Sequence, residues 1–469
     1  MVLKEERFIL LRRVLIRCGL VLLFGLAIEL RVSLYHIETS DYSVFLSQWY
    51  DFIQTHGGLA ALKDNFSNYN TPYLTLLALT TYLPIPKLIA IKTLSVIFDG
   101  VLGIFVYLIL QLRYKRALAA LAGVLVLLFA PTIFINSAAW GQCDALYTAF
   151  CLGSLYFLLK QRPGWACVFF ALALAFKLQA VFFAPILFIL LLKKRLPLPY
   201  LALIPLVFAL MLTPALIAGR SAPSLLMIYA EQISGGGVGG ASVSNNHDAG
   251  FFHNGTGVSP SLNNGNTNRS GSFNGNGPQS FNGGQPGGTG SSSSLTLNAP
   301  SFYQWLPTDA PANVWKWVGI ALAALFILTM SILLLLNKRQ LTSALLIKIA
   351  LLFALAMPFF LPEMHERYFY LADVLSILYA FSFPRMFYVA IVTQLCSLLS
   401  YAPYFLQRQI VPLSYVAGAI LLLIVIVLID LARSLSARSK PALPEKEDRV
   451  EASGGTSVAL RPGCQRRDG

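Results

Sequence analysis

Long apolar runs separated by short polar or basic segments are the dominant pattern of this sequence. They recur from "FILLRRVLIRCGLVLLFGLAIEL" near the start to "YVAGAILLLIVIVLIDLA" near the end, and each is roughly long enough to cross a bilayer as a helix. The runs are continuous and do not alternate, which favours helices over a β-barrel because each segment must satisfy its own backbone hydrogen bonds in lipid. The pattern predicts an all-α polytopic membrane protein.

Counting the runs predicts about ten to thirteen transmembrane helices. The expected positions are 8–30, one or more helices within 72–111, then 117–137, 144–159, 165–192 as one helix or two halves, 198–218, 314–336, 342–362, 369–384, 386–406 and 411–432.

The basic residues of the chain cluster between these runs, as they do in the cytoplasmic loops of membrane proteins. The basic segments are 1–13, 112–116, 160–164, 193–195, 337–339, 384–385 and 432–440. Both termini are then cytoplasmic. The opposite side receives the loops 31–71, 138–143, 219–313, 362–368 and 403–410. This topology requires that 72–111 makes an odd number of crossings and that 165–192 turns back near Lys177.

Two segments interrupt the apolar pattern and divide the chain. Residues 234–295 are rich in Gly, Asn and Ser, and such a segment cannot offset its ordering entropy by burial, so it is predicted to be a disordered non-cytoplasmic loop. The charged tail 434–469 is predicted to be disordered as well. Residues 1–233 then form an N-terminal membrane module, which includes the polar first loop 31–71, and residues 296–433 form a C-terminal module.

Composition excludes several other classes of protein. Lys and Arg outnumber Asp and Glu by 35 to 21, but their position in loops indicates membrane anchoring and no nucleic-acid partner. The six cysteines show no CxxC spacing, and no metal-binding motif is present, so no residue is assigned to a metal. The chain is expected in a plasma membrane, with membrane lipids as its surroundings.

Ionisable residues within or beside membrane helices are costly and mark function by default. In "HIETSDYSVF", Glu38 and Asp41 follow directly on the first helix, three residues apart. Such carboxylates suit a general base or a metal site. The alternative is a helix N-terminus capped by Thr39 or Ser40, where acidic residues are favoured in the first turn.

Two further clusters lie in the N-terminal half. "AAWGQCDALY" places Trp140, Gln142 and Asp144 in a tight loop between helices, where they serve a site or act as an interfacial anchor and a helix cap. Lys177 lies in the middle of the nearly apolar run 165–192 and is too deep to reach either surface easily if that run is one helix. It therefore requires an anionic partner, either a protein carboxylate or a ligand phosphate.

The C-terminal half contributes two clusters of its own. Asn298, Gln304 and Trp305 carry amide and aromatic side chains that suit carbohydrate, although an aromatic belt at the membrane interface explains them equally well. In "PEMHERYFYLADVLS", His365, Glu366 and Arg367 lie between two helices. Arg and His suit phosphate recognition, and the alternative is a salt bridge from Glu366 to Arg367. Asp373, further into the next helix, is expected to be a buried polar partner, with Arg367 as one candidate.

The predicted topology places the four loop clusters on one side of the membrane, with Lys177 at a turn facing the same way. Residues that merely cap separate helices would not be expected to lie on the same side of the membrane. A shared site with a carboxylate base, cations for a phosphate and a sugar-binding surface explains the agreement.

The order of "NYNTPYL", "WGQCD", "FKLQAVFFAP" and "HERYFY" after a retained first helix resembles the GT-C superfamily of integral-membrane glycosyltransferases. It is similar to the bacterial proteins related to the GPI-anchor mannosyltransferases. The resemblance extends over about residues 10–430 and omits 234–295. The chain departs from the pattern at "NYNTP", where such relatives carry an acidic turn, and this bears on the identity of the sugar or acceptor more than on the reaction.

The resemblance implies transfer of a hexose, with mannose favoured, from a polyprenyl-phosphate carrier to a hydroxyl of a lipid, glycan or protein acceptor. Inversion at the anomeric carbon on the non-cytoplasmic face of a bacterial plasma membrane is expected. Asp41 is the implied base, with Glu38 as its alternate, and Arg367, His365 and Lys177 are the implied phosphate contacts. The remaining site residues, for sugar and acceptor, are Trp140, Gln142, Asp144, Asn298, Gln304, Trp305 and Glu366. The sequence leaves open whether a divalent cation assists.

Two other functions remain open at this stage. A flippase or transporter of lipid-linked sugars would place charges near the bilayer midplane on broken helices, and Lys177 alone fits that arrangement. A polymerase or ligase of the O-antigen type would share lipid-linked sugars and large outer loops.

Overall fold

The computed structural model describes residues 2–234, 295–337 and 340–436 of the chain. Over these residues the chain is helical apart from one pair of two-residue strands. The helices are α1 Val2–Ser33, α2 Ser47–Thr55, α3 Thr71–Thr80, α4 Lys87–Gln111, α5 Ala117–Phe129, α6 Pro131–Phe134, α7 Asp144–Leu159, α8 Pro163–Phe176, α9 Ala184–Leu192, α10 Leu203–Ala218, α11 Ala222–Ser234, α12 Ala312–Leu336, α13 Ser343–Phe360, α14 Tyr370–Ser382, α15 Phe387–Leu406 and α16 Leu413–Ser436. The strands are β1 Thr296–Leu297 and β2 Met364–His365.

The helices confirm an all-α polytopic membrane protein. Six described helices are long and apolar enough to cross a bilayer, or seven if the bent pair Ala117–Phe129 and Pro131–Trp140 is one span. The six are Lys87–Gln111, Leu198–Ala218, Ala312–Leu336, Ser343–Phe360, Pro384–Leu406 and Leu413–Ser436. This number is smaller than the predicted ten to thirteen because several predicted runs form shorter apolar helices, such as Asp144–Leu159, or helices with breaks, as at Lys177. The predicted first span, 8–30, lies in α1, which is long enough but is not among the six because its apolar part is interrupted by charged residues such as Arg17 and Glu29.

Side-chain contacts gather the predicted basic loops at one end of the bundle. The Tyr114 hydroxyl donates to the carbonyl of Phe381 at 2.5 Å, and the Lys193 ammonium donates to the carbonyl of Asn337 at 2.8 Å. The ammonium of Lys348 pairs with Asp430 at 2.5 Å and lies 4.4 Å from the ring of Phe383. The amide of Asn337 also donates to the carbonyl of Leu435, on the same helix as Asp430. The basic segments 112–116, 193–195 and 384–385, Asn337 at the start of the segment 337–339, and the start of the tail therefore share one side, as the positive-inside rule requires. That this side is the cytoplasmic one stays a prediction.

The two conditions of the predicted topology are met by the chain path. Residues 72–111 form α3, which is a short helix, followed by the long α4. The run 165–192 breaks at Lys177, whose backbone is extended with φ −153° and ψ 136°. Lys177 pairs with Asp144 at one end of the bundle, whereas Lys193 contacts Asn337 at the other end. The start of α8 lies at that other end too, since a Cβ built on Gly164 would be 3.1 Å from the ring of Tyr200, seven residues after Lys193. The chain therefore turns back near Lys177.

The first loop is folded onto the helix bundle. A π-helical turn, Tyr42–Leu46, leads into α2, and a 3-10 turn, Gly58–Lys63, follows it. Trp49 and Ile53 lie one turn apart on α2 and are buried in the core, which fixes this helix against the bundle. The loop therefore holds its first residues, including the acidic ones, in a fixed position.

The two segments that were predicted to be disordered lie almost entirely outside the described residues. The prediction for 234–295 falls on residues outside those described, apart from its first and last positions, and so does the prediction for the tail beyond Ser436. The helix α16 continues to Ser436, two residues past the predicted start of the tail. After the first of these segments, β1 pairs in parallel with β2, so the chain following it lies beside His365. The division into two membrane modules stays a prediction.

Candidate active site

Asp41 lies where α1 has ended and the first loop begins, and three donors hold one of its carboxylate oxygens. Its Oδ2 accepts hydrogen bonds from the indole of Trp140 at 3.1 Å, the amide of Gln142 at 2.5 Å and the guanidinium of Arg367 at 3.2 Å. Its backbone N–H donates to the hydroxyl of Tyr404 at 3.0 Å. The side chain is 21% exposed, and its Oδ1 accepts no hydrogen bond from the described residues. One oxygen is anchored by three donors, and the other is free of hydrogen bonds from the described residues on a partly exposed side chain.

Residues 140–142 form a loop that we call the donor loop, because Trp140 and Gln142 donate hydrogen bonds to Asp41. A bend after α5 shapes this loop. Pro131 begins a new helix there, and the chain continues as the π-helical segment Ile135–Trp140. The segment Pro131–Trp140 is bent by 54° relative to α5. Gly141 then adopts φ +75°, a left-handed conformation that favours glycine because other residues pay a steric cost. The Gln142 N–H bonds to the carbonyl of Asn136 at 3.0 Å, which closes the turn. Trp140 and Gln142 are thereby directed at the same carboxylate.

Arg367 is the cation at the centre of the site. It lies on the 3-10 turn Glu366–Phe369, is 8% exposed, and its guanidinium carbon is 5.5 Å from the centre of the Trp140 ring. One nitrogen bonds to Asp41, while Nε has no hydrogen-bond partner among the described residues and lies 3.8 Å from the nearer oxygen of Asp144. Buried donors without partners are uncommon. The guanidinium therefore has a free donor inside the site.

Asp144 and Lys177 form a buried ion pair beside Arg367. The second oxygen of Asp144 accepts a hydrogen bond from the amide of Asn136 at 2.9 Å. Three tyrosine rings lie about the Lys177 ammonium, with their centres at 6.0, 6.0 and 5.7 Å: Tyr69, Tyr147 and Tyr368. The anionic partner expected for Lys177 is thus a protein carboxylate. Its charge is already balanced before any ligand binds.

Removing only one member of this ion pair is expected to be costly. Lys177→Met leaves Asp144 charged and buried, and we expect a loss of about 3–5 kcal/mol in the free energy of unfolding. Changing Asp144→Asn together with Lys177→Met removes both charges and is expected to recover most of that loss. Thermal unfolding of the purified variants in detergent measures both effects.

The same variants test the predicted contact of Lys177 with a phosphate. The matched control is Asp144→Asn alone, which keeps the ammonium. A weaker apparent affinity for the donor in the double variant than in this control is the result expected of a phosphate contact. Equal donor affinity in the two variants would leave Lys177 a purely structural role.

His365 and Glu366 precede Arg367 on the loop between α13 and α14. Burial, together with the charges of Arg367 and Lys177, holds the pKa of the His365 ring well below its usual value. Burial raises the pKa of the Glu366 carboxyl to about 7 although the charge of Arg367 opposes this shift. His365 is therefore neutral at neutral pH, and the Arg367 guanidinium is the cation that this loop brings to the site.

The remaining predicted site residues lie further from Asp41 or make local contacts. Glu38 is exposed. Asn298 has a left-handed φ of 59° and forms an antiparallel backbone bridge with His365, which puts it near the site. The amide of Gln304 donates to the carbonyl of Ala299 at 2.9 Å, and the indole of Trp305 donates to that of Ser414 at 3.0 Å. Their roles in sugar binding stay predictions.

Asp373 is buried, as expected, but its partner differs from the candidate. Its Oδ1 accepts a hydrogen bond from the hydroxyl of Ser397 at 2.7 Å, and among the described residues it forms no ion pair with Arg367. Because α14 carries Asp373 into the bundle, its carboxyl faces α15 and not the loop before it. Asp373 is therefore not part of the site around Asp41.

Two residues of the site were not identified from the sequence. The Tyr69 hydroxyl donates to the amide oxygen of Gln142 at 3.4 Å, and its ring lies beside Lys177. The Tyr404 ring stacks on Trp140 with centres 4.3 Å apart. Tyr69 belongs to "NYNTP", the segment at which the chain departs from the resemblance, and that departure was a usable signal. Tyr404 lies near the end of an apolar helix, where the sequence gives no comparable signal of a functional role.

No three His, Cys, Asp or Glu side chains converge on a metal-binding geometry within the part of the chain that the structure describes. The acidic side chains of Asp41, Asp144 and Glu366 lie instead around the guanidinium of Arg367. No residue is therefore assigned as a metal ligand.

Comparison with known proteins supports one family. The sequence model of Glycosyltransferase family 87 matches residues 66–233, which is less than half of the chain. The matched part contains the donor loop and the Asp144 and Lys177 pair, while Asp41 and Arg367 lie outside it. No curated protein matches the chain significantly. The match and the helical membrane fold together support a membrane glycosyltransferase that acts with a sugar donor and an acceptor.

Proposed function

We propose that this protein transfers a hexose, with mannose favoured, from a polyprenyl-phosphate carrier to a hydroxyl acceptor and inverts the anomeric carbon. The observation that supports this most directly is the environment of Asp41. One carboxylate oxygen is fixed by three donors, and the other is free of hydrogen bonds from the described residues. A carboxylate held in this way has a defined direction in which to receive a proton.

Asp41 acts as the general base in the proposed reaction. Its Oδ1 takes the proton of the acceptor hydroxyl while that oxygen forms a bond to the anomeric carbon. The bond from this carbon to the lipid phosphate breaks on the opposite face, and its electron pair leaves with the phosphate. The direct displacement accounts for the inversion, and the carrier is released as the polyprenyl phosphate.

Arg367 stabilises the phosphate in this proposal. The guanidinium presents a planar fork of donors that matches phosphate oxygens, and its buried Nε has no hydrogen-bond partner among the described residues. Charge accumulates on the phosphate as the sugar leaves, and donors already in place stabilise that charge in the transition state. His365, with its ring neutral, adds a hydrogen bond but no charge. Lys177 is the third phosphate contact that we propose.

Two of the residues predicted to bind the sugar, Trp140 and Gln142, already donate hydrogen bonds to Asp41. Trp140 is fully buried and its indole N–H is used by Asp41, so its part is to hold the base. Gln142 likewise donates to Asp41, and its amide oxygen receives the hydroxyl of Tyr69. We propose Asp144, Glu366 and Asn298 as the predicted residues nearest to the sugar. The more distant Gln304 and Trp305 would contact only a larger acceptor.

The proposed reaction takes place on the non-cytoplasmic face of a bacterial plasma membrane. The basic loops gather at the end of the bundle that holds Lys193 and Lys348, and Asp41 and Arg367 lie at the opposite end. By the positive-inside rule the first end is cytoplasmic, with both termini there. The acceptor is a lipid, a glycan or a protein that carries a free hydroxyl on the outer side.

Transfer in a defined membrane tests the donor class. The purified protein in liposomes receives either a radiolabelled polyprenyl-phosphate mannose or the corresponding nucleotide sugar, with a membrane extract as the source of acceptor. We expect label in product only from the lipid-linked donor, and inverted stereochemistry at the new bond by NMR. Direct use of the nucleotide sugar would contradict the proposal. Movement of the labelled lipid across the bilayer without product would support a flippase instead.

A further inference from the structure

Lys92 is a buried lysine on α4 whose ammonium bonds only to backbone carbonyl groups. It is 1% exposed, and it donates to the carbonyls of Leu34 at 3.1 Å, Tyr35 at 3.1 Å and Ile37 at 2.5 Å. Among the residues described, no carboxylate forms an ion pair with it. All three donors of the ammonium are thus used within the chain segment that follows α1.

These carbonyls lie between the end of α1 and Asp41. They lie in the turn directly after the C-terminus of α1, where the partial negative charge of the helix end makes a cation favourable. Ile37, the residue with the shortest of the three hydrogen bonds, is four positions before Asp41. The hydrogen bonds from Lys92 therefore fix the path by which the chain leaves α1 and reaches the carboxylate.

The stem of the same side chain lies against the donor loop. A Cβ built on Gly141 would be 3.6 Å from the Cγ of Lys92, so the stem of Lys92 lies beside the face of this glycine that carries no side chain. Gly141 separates Trp140 from Gln142, whose side chains both donate to Asp41. One side chain thus contacts both the segment that carries Asp41 and the loop that holds its Oδ2.

We infer that Lys92 is a positioning residue that sets the direction of the Asp41 carboxylate. This inference rests on the proposed function of Asp41 as the base. Lys92 does not reach the substrate, since its ammonium is enclosed by the carbonyls that it binds. Its effect on the reaction passes through the position of Asp41, and displacement of a reacting group by about 1 Å can cost about 100-fold in rate.

The test compares Lys92→Met with Lys87→Met in the reconstituted protein. Met keeps an unbranched stem but removes the three donors, and Lys87 is an exposed lysine of the same helix that pairs with Asp51 on the surface. We expect kcat to fall about 10- to 100-fold in Lys92→Met with little change in KM for the lipid-linked donor, and no change in Lys87→Met. An unchanged kcat in folded Lys92→Met would overturn the inference.

A double variant separates positioning from a general loss of structure. If Lys92 acts through Asp41, adding Lys92→Met to Asp41→Asn lowers kcat no further than Asp41→Asn alone, because interacting residues are not additive. Independent, multiplying losses would contradict the inference and leave the role of Asp41 untouched. Full activity of Asp41→Asn would instead contradict the proposed function.

A milder variant keeps the test decisive if Lys92→Met does not accumulate in membranes. Lys92→Gln retains two N–H donors, and we expect its kcat to lie between those of the unaltered protein and of a variant without donors, again at unchanged donor KM. A loss expressed in KM alone, or in the yield of folded protein alone, would assign Lys92 a structural role and overturn the inference.

Discussion

Replacing Asp41 by Asn is expected to lower kcat for sugar transfer about 10²- to 10⁴-fold, which is the usual contribution of a general base. Asn keeps the size of the side chain, and its carbonyl oxygen can still accept from Gln142 or Trp140. It cannot take the proton of the acceptor hydroxyl. Transfer from a radiolabelled polyprenyl-phosphate sugar in liposomes measures the effect, and the donor KM is expected to change little.

The control for this variant is Asp51→Asn in the same loop. Asp51 is half-exposed and pairs with Lys87 at 2.7 Å, so the same chemical change there is expected to leave transfer intact. Glu38→Gln addresses the alternate base. A large loss in Glu38→Gln together with a small one in Asp41→Asn would show that the wrong carboxylate has been assigned.

The fold class could be predicted because lipid imposes a simple rule on sequence. A segment that crosses the bilayer in contact with lipid is predominantly apolar and satisfies its backbone hydrogen bonds as a helix, so continuous runs such as 411–432 form helices such as α16. The breaks in the helices were less accessible. Lys177 interrupts 165–192 because its ammonium pairs with Asp144, and no local pattern specifies that contact.

The sequence could predict which residues share the site, but not which of them contact each other. Asp41, Trp140 and Arg367 are far apart in the chain, and the alternation of basic loops placed them on one side before any contact was known. Their partners are set by the packing of α helices from both halves of the chain. The hydrogen bond from Trp140 to Asp41, for instance, depends on the bend after α5 and on the left-handed Gly141.

Lys92 carries the same sequence signal as Lys177, a lone lysine within an apolar run. Lys177 was identified because a lone lysine in an apolar run is costly unless it has a partner, and Lys92 meets the same criterion in "LIAIKTLSVIF". Its partners are backbone carbonyls and not a carboxylate. The rule that identifies such lysines does not specify the partner, so a lysine that positions the backbone and a lysine that binds an ion look alike in sequence.

The second large effect is expected at Arg367, and its environment dictates the choice of variant. Three carboxylates surround the guanidinium, those of Asp41, Asp144 and Glu366. Asp144 also pairs with Lys177, but a neutral replacement of Arg367 would leave Asp41 and Glu366 without a cationic partner and confuse activity with folding. Arg367→Lys keeps the charge but replaces the planar fork by a single point of donation. We expect kcat to fall about 10²- to 10³-fold, the range seen when one transition-state donor is removed.

The matched control is Arg385→Lys, an exposed arginine in one of the basic loops at the opposite end of the bundle, and it is expected to keep full activity. If Arg367 binds the leaving phosphate, Arg367→Lys loses most with a poorly activated lipid phosphate and less with a donor whose leaving group already disperses its charge, because the guanidinium is needed in proportion to the charge that develops. A loss that is equal for both donors would indicate that Arg367 serves only to hold Asp41, since the hydrogen bond between them does not depend on the leaving group.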